Sequence, residues 1–112
     1  MVKNEGLLVI VNCANRTQAD AITRELVRRR LAACGSIGAP VRSLYRWKGG
    51  LEEADEVPLT LKTVAARFAE LEAAVRELHS YEVPEIIALP IAAASAPYLA
   101  WLRENTARSP EA

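Results

Sequence analysis

His79, the only histidine of this sequence, is the residue best suited to binding a metal ion. It opens the stretch HSYEVPE, so that Glu82 and Glu85 follow closely. An imidazole and a carboxylate are suitable ligands for copper or zinc, and Cys13 adds a soft ligand from elsewhere in the chain. His79 and Cys13 are therefore the predicted metal ligands. The same two residues also suit a helix C-terminus and a buried structural thiol, respectively.

The sequence lacks the residue patterns of common enzymes. No serine stands in a nucleophile-elbow pattern, and His79 is the one imidazole that could act as a base. The glycines match neither a phosphate-binding loop nor a dinucleotide-binding fingerprint. Because a nucleophile, a base and an orienting group cannot be assembled, we expect a protein that is not an enzyme.

The charge balance gives no reason to expect a nucleic acid or a membrane as partner. The chain has 14 Lys and Arg residues against 14 Asp and Glu residues, a formal net charge of zero. The first and third predicted strands carry no aromatic residue, unlike an RNA-binding sheet. No apolar run reaches the length of a membrane helix, and the first residues do not resemble a signal peptide. We predict a cytoplasmic protein.

Hydrophobic patterns predict a single domain, over residues 1–112, with the order βαββαβ and an added C-terminal helix. Residues 7–13 form a continuous apolar strand, and Asn15 with Gln18 predicts the cap of a helix that runs to about Leu31. The later elements are a bent strand (32–47), an alternating strand (51–63), a helix (64–78), a strand (86–91) and a helix capped by Ser95. This order is typical of a ferredoxin-like α+β sandwich.

The stretch SLYRWKGGLEEADEV (43–57) predicts a hairpin that needs a covering surface. Its Lys48-Gly49-Gly50 segment is a tight-turn signal, because Gly-Gly readily takes positive φ. Tyr45 and Trp47 share one strand face. Two helices cover only one face of such a sheet, so the other face and the hairpin are left for a partner. We expect Tyr45 and Trp47 to pack on other copies of the chain; the alternative is a hairpin folded onto its own subunit.

Five motifs, taken together in their order and spacing, resemble the CutA divalent-cation tolerance family over about residues 7–101. They are RLAAC (30–34), SLYRWKGGLEEADEV (43–57), LKT (61–63), HSYEVPEIIALP (79–90) and YLAWL (98–102). The resemblance implies a ferredoxin-like subunit in a tight homotrimer, similar to PII-type signalling proteins. In that trimer the long second and third strands reach the neighbouring subunit, where Tyr45 and Trp47 would be covered.

The resemblance also implies a role in tolerance of divalent cations, with copper binding in some members. The ligands assigned in those members are a Cys in the first strand and a His-His pair before a Pro-Tyr. This chain has Val11 at the Cys position, Leu78 at the first His and Ser80 at the Pro. Direct carry-over leaves His79 as a ligand, with Cys13 two residues beyond Val11 on the same strand face.

PII-like trimers bind small ligands in clefts between subunits, which suggests a second use of the same fold. Lys62, Tyr81, Glu85 and Trp101 stand at motif positions and combine charge with aromatic surface, so they are the predicted ligand cleft. The structural alternative places Tyr81 and Trp101 in the core or an interface and pairs Lys62 with Glu85. The sequence therefore predicts a trimeric protein of divalent-cation tolerance with copper as its candidate ion, or alternatively a PII-like signalling module.

Overall fold

A computed structural model describes residues 5–108 of the chain. Its elements, in chain order, are β1 (Gly6–Cys13), α1 (Arg16–Arg28), β2 (Cys34–Ile37), β3 (Val41–Trp47), β4 (Gly50–Val64), a 3₁₀ turn (Ala65–Arg67), α2 (Phe68–Leu78), β5 (Ile87–Pro90) and α3 (Ala96–Thr106). Each predicted strand and helix is present. The predicted bent strand is divided into β2 and β3.

The strands form an antiparallel sheet whose order is that of a ferredoxin-like fold. β4 and β1 lie at its centre, β2 and β5 lie outside them, and β3 continues along β4 beyond β2. The chain order βαββαβ with a C-terminal helix is thereby confirmed. β1 ends where Cys13 pairs with Val57, so the first part of β4 pairs with β3 alone as a two-stranded ribbon.

Alternate residues of the central strands pack against α1 and α2. The buried core residues come from β1 (Val9, Val11, Cys13), β4 (Val57, Leu59, Leu61), α1 (Ala19, Ile22, Leu26) and α2 (Leu71, Ala74, Val75). Burial of a side chain as large as Leu or Val contributes about 1.5–3 kcal/mol. This core fixes the C-terminal end of β1 and the C-terminal end of α2, which together support the site described below.

A bulge separates β2 from β3. Ile37 pairs with Leu59 and Val41 pairs with Glu56, so three residues of one strand lie opposite two of the other. Pro58 lies at this point, and its carbonyl accepts a 2.8 Å hydrogen bond from the Gly38 N–H. The bend predicted within residues 32–47 is therefore confirmed, and it takes the form of this bulge. It redirects the strand toward the exposed ribbon.

The turn of the ribbon lies one residue earlier than Gly-Gly would place it. Its two central residues are Lys48, at φ +50°, and Gly49, at φ +83°, while Gly50 already pairs with Trp47. Positive φ at both central positions defines the turn that matches the twist of a hairpin. The predicted tight turn at Lys48-Gly49-Gly50 is present, but of the Gly-Gly pair only Gly49 takes positive φ, and Lys48 is the other residue that does so.

The helix caps follow the sequence pattern. The Asn15 Oδ1 accepts the Gln18 N–H at 2.8 Å, and the Gln18 Oε1 accepts the Ala14 N–H at 2.9 Å. Ser95 caps α3 by accepting the Tyr98 N–H at 3.3 Å. None of the helices within residues 5–108 is long and apolar enough to cross a bilayer.

The sheet face opposite α1 and α2 is largely uncovered by this chain. Leu8 and Ile10 of β1 are half-buried there. Beside them, Ile87 and Leu89 of β5 keep 49% and 42% of their surface exposed. α3 packs at one end of the sheet through Leu102. We call the surface formed by Leu8, Ile10, Ile87 and Leu89 the open face.

Candidate functional site

A cleft of about 610 Å³ lies between the β3–β4 ribbon and the segment that follows α2. The ribbon and the end of β1 provide Asn12, Ser43, Leu44, Tyr45, Trp47 and Glu56, and the segment 81–85 provides Tyr81, Glu82, Val83 and Glu85. The volume falls in the range of small-ligand sites. Two pairs of residues that the sequence assigned to different surfaces, Tyr45 with Trp47 and Tyr81 with Glu85, therefore line one cleft.

The register of the ribbon places the aromatic side chains on the wall of the cleft. Val41 lies opposite Glu56, so the alternate residues Tyr45 and Trp47 share the face of that carboxylate. Tyr45 remains 40% exposed and Trp47 37% exposed. Both side chains are therefore accessible in the single chain.

Glu56 is a buried carboxylate held by a tyrosine. Its side chain is only 6% exposed, and its Oε2 accepts a 2.8 Å hydrogen bond from the Tyr81 hydroxyl. Burial, together with this bond and the negative charge of Glu56, raises the pKa of Tyr81 well above its ordinary value. The hydroxyl therefore stays protonated and remains a donor to the carboxylate at neutral pH.

His79 joins β1 to the segment 81–85. Its Nε2 lies 2.8 Å from the backbone carbonyl oxygen of Asn12, and its Nδ1 accepts a hydrogen bond from the backbone N–H of Tyr81 at 3.1 Å. Nδ1 is therefore the acceptor nitrogen of a neutral ring, and Nε2 carries the proton donated to Asn12. The imidazole is 7% exposed and lies 4.6 Å from the Tyr81 ring, measured between centroids. Both ring nitrogens are thus used to hold the cleft segment in place.

Cys13 lies in the core beneath the cleft. The side chain is fully buried, and burial followed by the nearby charge of Glu56 raises the pKa of its thiol to about 11. Because the thiolate is the form that binds metals, a thiol protonated at neutral pH is a weak ligand. Within residues 5–108, no three His, Cys, Asp or Glu side chains are grouped as a metal site. A metal ion at His79 would have to displace one of its two hydrogen bonds, and ligation by His79 and Cys13 stays a prediction.

The other two residues of the predicted ligand cleft lie toward α3. Lys62 pairs with Cys34 of β2, and the Cys34 Sγ lies 3.7 Å from the Tyr98 hydroxyl. Burial, followed by the contact with Cys34, raises the pKa of Tyr98 to about 12. Trp101 packs beside Tyr98, with 5.4 Å between ring centroids. Among the described residues Lys62 forms no ion pair with Glu85, so the structural alternative of a Lys62–Glu85 pair is absent in the single chain.

Glu56 is the main site residue that sequence reasoning misplaced. The acidic run EEADE (52–56) has the pattern of a charged, exposed strand edge, and Glu52, Glu53 and Asp55 are exposed as that pattern predicts. Glu56 differs because it is the last acidic residue before the buried part of β4. Its even position puts it on the face of Pro58, but the exposed Glu52 has the same parity, so alternation gave no signal that could have identified the burial of Glu56.

The fold and the site together define a class of protein: a ferredoxin-like α+β domain with an open sheet face and an acidic cleft lined by aromatic rings. Residues 7–105 match the family described as CutA1 divalent ion tolerance protein. The chain belongs to this family, which confirms the resemblance carried by its motifs.

Individual relatives agree with this assignment. The divalent-cation tolerance protein CutA of Thermus thermophilus is 44% identical over 99 residues, which are 88% of this chain and 96% of the relative. Its solved structure has a TM-score of 0.89 and 43% identity, covering 91% of this chain and 99% of the other. Human protein CutA is 43% identical over 96 residues, which are 86% of this chain and 54% of the human protein. This chain therefore spans about half the length of its human relative.

A further similar structure is that of a protein named as periplasmic. It is the periplasmic divalent cation tolerance protein CutA of Archaeoglobus fulgidus, with a TM-score of 0.88 and 31% identity. The alignment covers 91% of this chain and 99% of that one. The likeness therefore extends over nearly the whole chain.

Proposed function

We propose that this protein acts as a non-enzymatic homotrimer in tolerance of, or response to, divalent cations. The observation that supports the assembly is the ribbon, because an isolated two-stranded hairpin is marginally stable in water. Its Leu44 and Leu51 side chains are 59% and 71% exposed. A neighbouring subunit would cover them, together with the open face.

The assembly would follow from these two surfaces. Cyclic symmetry lets each subunit offer the same ribbon and the same open face to its neighbours, which closes a ring without leaving an apolar edge. Interfaces of permanent homo-oligomers resemble a protein core cut in half, and the exposed aliphatic residues of β5 suit such an interface. The number three comes from the family resemblance.

Sedimentation velocity of the purified chain tests the trimer. We expect a single species with three times the subunit mass of 12.2 kDa, independent of concentration in the micromolar range. A monomer over that range would contradict the assembly and leave the exposed ribbon unexplained.

Copper is the candidate ion of this proposal, with His79 and Cys13 as its candidate ligands. The imidazole would have to exchange its bond to Asn12 or to Tyr81 for a metal bond. The Cys13 thiol would have to lose its proton in a buried setting. Metal affinity would therefore rise with pH, because ligand deprotonation is coupled to binding.

A calorimetric titration with copper(II) separates the metal role of His79 from its structural role. We expect saturable binding by the wild type and its loss in His79→Gln. The glutamine amide retains a donor for Asn12 and an acceptor for Tyr81, but it is a poor copper ligand. Cys13→Ser is the matched test of the second ligand. Equal binding by the wild type and His79→Gln would remove His79 from any copper site.

The alternative function is that of a PII-like signalling module that binds a small ligand between subunits. The cleft favours it, because Tyr81 and Glu85 line it together with Tyr45 and Trp47. Lys62 lies about six strand positions from Glu56, roughly 20 Å at the rise of an antiparallel strand. For the predicted ligand residues to meet, Lys62 and Trp101 would come from a neighbouring subunit.

The cytoplasm remains the predicted compartment. That prediction was made from the first residues of the sequence, whereas the Archaeoglobus neighbour is named as periplasmic. Fractionation of cells that make the chain would decide between these compartments. Neither location changes the proposed assembly or the chemistry of the cleft.

A further inference from the structure

The cleft carries a local negative charge that the whole chain does not have. Three carboxylates, those of Glu56, Glu82 and Glu85, line it, and none of its lining residues is Lys, Arg or His. The formal net charge of the chain is zero. A cleft that has low-dielectric walls and is lined by charges of one sign concentrates the electric field inside it. The three carboxylates therefore make this surface attractive to cations.

Glu56 lacks a cationic partner. The residue is 6% exposed, and among the described residues the neutral Tyr81 hydroxyl is the hydrogen-bond donor to its carboxylate, through Oε2. No ion pair within residues 5–108 includes Glu56, and its Oε1 accepts no hydrogen bond there. Because no buried side-chain oxygen among the described residues lacks a hydrogen-bond partner, Oε1 is not sealed in the core and stays open to a cation in the cleft.

The aromatic rings of the cleft suit a cation of a particular kind. Tyr45, Trp47 and Tyr81 line the same space as Glu56. A cation–aromatic contact is already present at the rim of the cleft. The Lys48 Nζ lies 5.7 Å from the Trp47 ring centroid and 3.9 Å from the Glu82 Oε1. An ammonium group over an aromatic face gains electrostatic attraction from the ring, most strongly with Trp.

We propose that the cleft binds a small organic ammonium ion, with Glu56 as its charge partner and Trp47 as its aromatic platform. The inference deepens the alternative function given above, since it rests on the cleft being a ligand site in which Tyr45 and Trp47 stay accessible instead of being covered by a neighbouring subunit. A bare metal ion fits less well, because no three metal-binding side chains within residues 5–108 are grouped around one point. A space of about 610 Å³ suits an organic molecule.

Two probes of nearly equal size, one cationic and one neutral, test the inference: benzylammonium and benzyl alcohol. Calorimetric titration of the wild type is expected to show saturable binding of benzylammonium, with the alcohol at least about tenfold weaker. Tenfold corresponds to about 1.4 kcal/mol, which a desolvated cation–aromatic contact with a carboxylate readily supplies.

Variants assign the binding to particular residues. Glu56→Gln keeps the shape and the bond from Tyr81, and we expect it to weaken benzylammonium about tenfold. Asp55→Asn is the matched control, because Asp55 precedes Glu56 on β4, faces the opposite side toward Arg42 and lies outside the cleft lining. Trp47→Leu should weaken binding several-fold, whereas Lys48→Met should strengthen it by removing a competing ammonium.

Three results would overturn the inference. These are equal binding of the amine and the alcohol, no saturable binding of the amine up to its solubility limit, and unchanged binding in a folded Glu56→Gln variant. Sedimentation of the same samples keeps this test apart from the test of the assembly. A trimer that does not bind benzylammonium would contradict the ammonium site alone. A monomer that binds benzylammonium through Glu56 would contradict the trimer alone.

Discussion

Replacing His79 with alanine is expected to lower the free energy of unfolding by about 2–4 kcal/mol. The substitution removes a buried ring and leaves the Asn12 carbonyl and the Tyr81 N–H without their partner. Loss of a buried hydrogen-bond partner costs about 1–3 kcal/mol, and the space left by the ring adds to that cost. Urea denaturation at a fixed protein concentration measures the change.

His79→Gln and Glu77→Ala complete this experiment. Glutamine can reproduce part of the two bonds, so we expect it to recover about half of the lost stability. Glu77 is exposed on the same turn of α2, and its replacement should change the stability by no more than about 0.5 kcal/mol. A loss in His79→Ala as small as that of Glu77→Ala would mean that the imidazole is not structural and is free to bind a ligand.

This structural role of His79 affects how the cleft is understood. The Tyr81 backbone is held by the imidazole, and the Tyr81 hydroxyl in turn holds Glu56. A change at His79 is therefore expected to shift Glu56, one of the three carboxylates that line the cleft. Loss of copper binding in His79→Ala would therefore not by itself identify His79 as a copper ligand. For this reason the copper titration uses His79→Gln.

Local patterns in the sequence were sufficient to predict the elements of the fold. The Asn15 cap, the alternation along β4 and the buried stripe of α1 each depend on residues a few positions apart. Such short-range preferences act before any tertiary contact is made. The bulge near Pro58 was predictable for the same reason, because a residue without an N–H cannot complete a regular ladder.

The site was harder to predict because its contacts join distant parts of the chain. His79 reaches Asn12 across 67 positions, and Tyr81 reaches Glu56 across 25. Contacts between residues so far apart leave no periodic pattern in the sequence. Glu56 in particular belongs to an acidic run that looks uniform in sequence, and only the end of β1 at Cys13 distinguishes its buried position from the exposed ones before it.

Replacing Leu89 with lysine is expected to convert the proposed trimer into monomers. Leu89 lies on the open face and is 42% exposed in the single chain, so the substitution should leave the subunit folded. In an assembly that buries this face, each lysine would bring an unpaired ammonium into an apolar contact. A cost of about 4 kcal/mol raises a dissociation constant about a thousandfold, and the cost recurs in every subunit.

Val27→Lys provides the matched control, because Val27 is 39% exposed but lies on α1, away from the open face. Sedimentation velocity should give a trimer for the wild type and Val27→Lys and a monomer for Leu89→Lys, with equal helical circular dichroism in all three. A Leu89→Lys trimer would show that the open face is not the interface, so that the ribbon alone would have to hold the subunits together. Dissociation of both variants would point instead to a general effect of added charge, since the two substitutions share only that change.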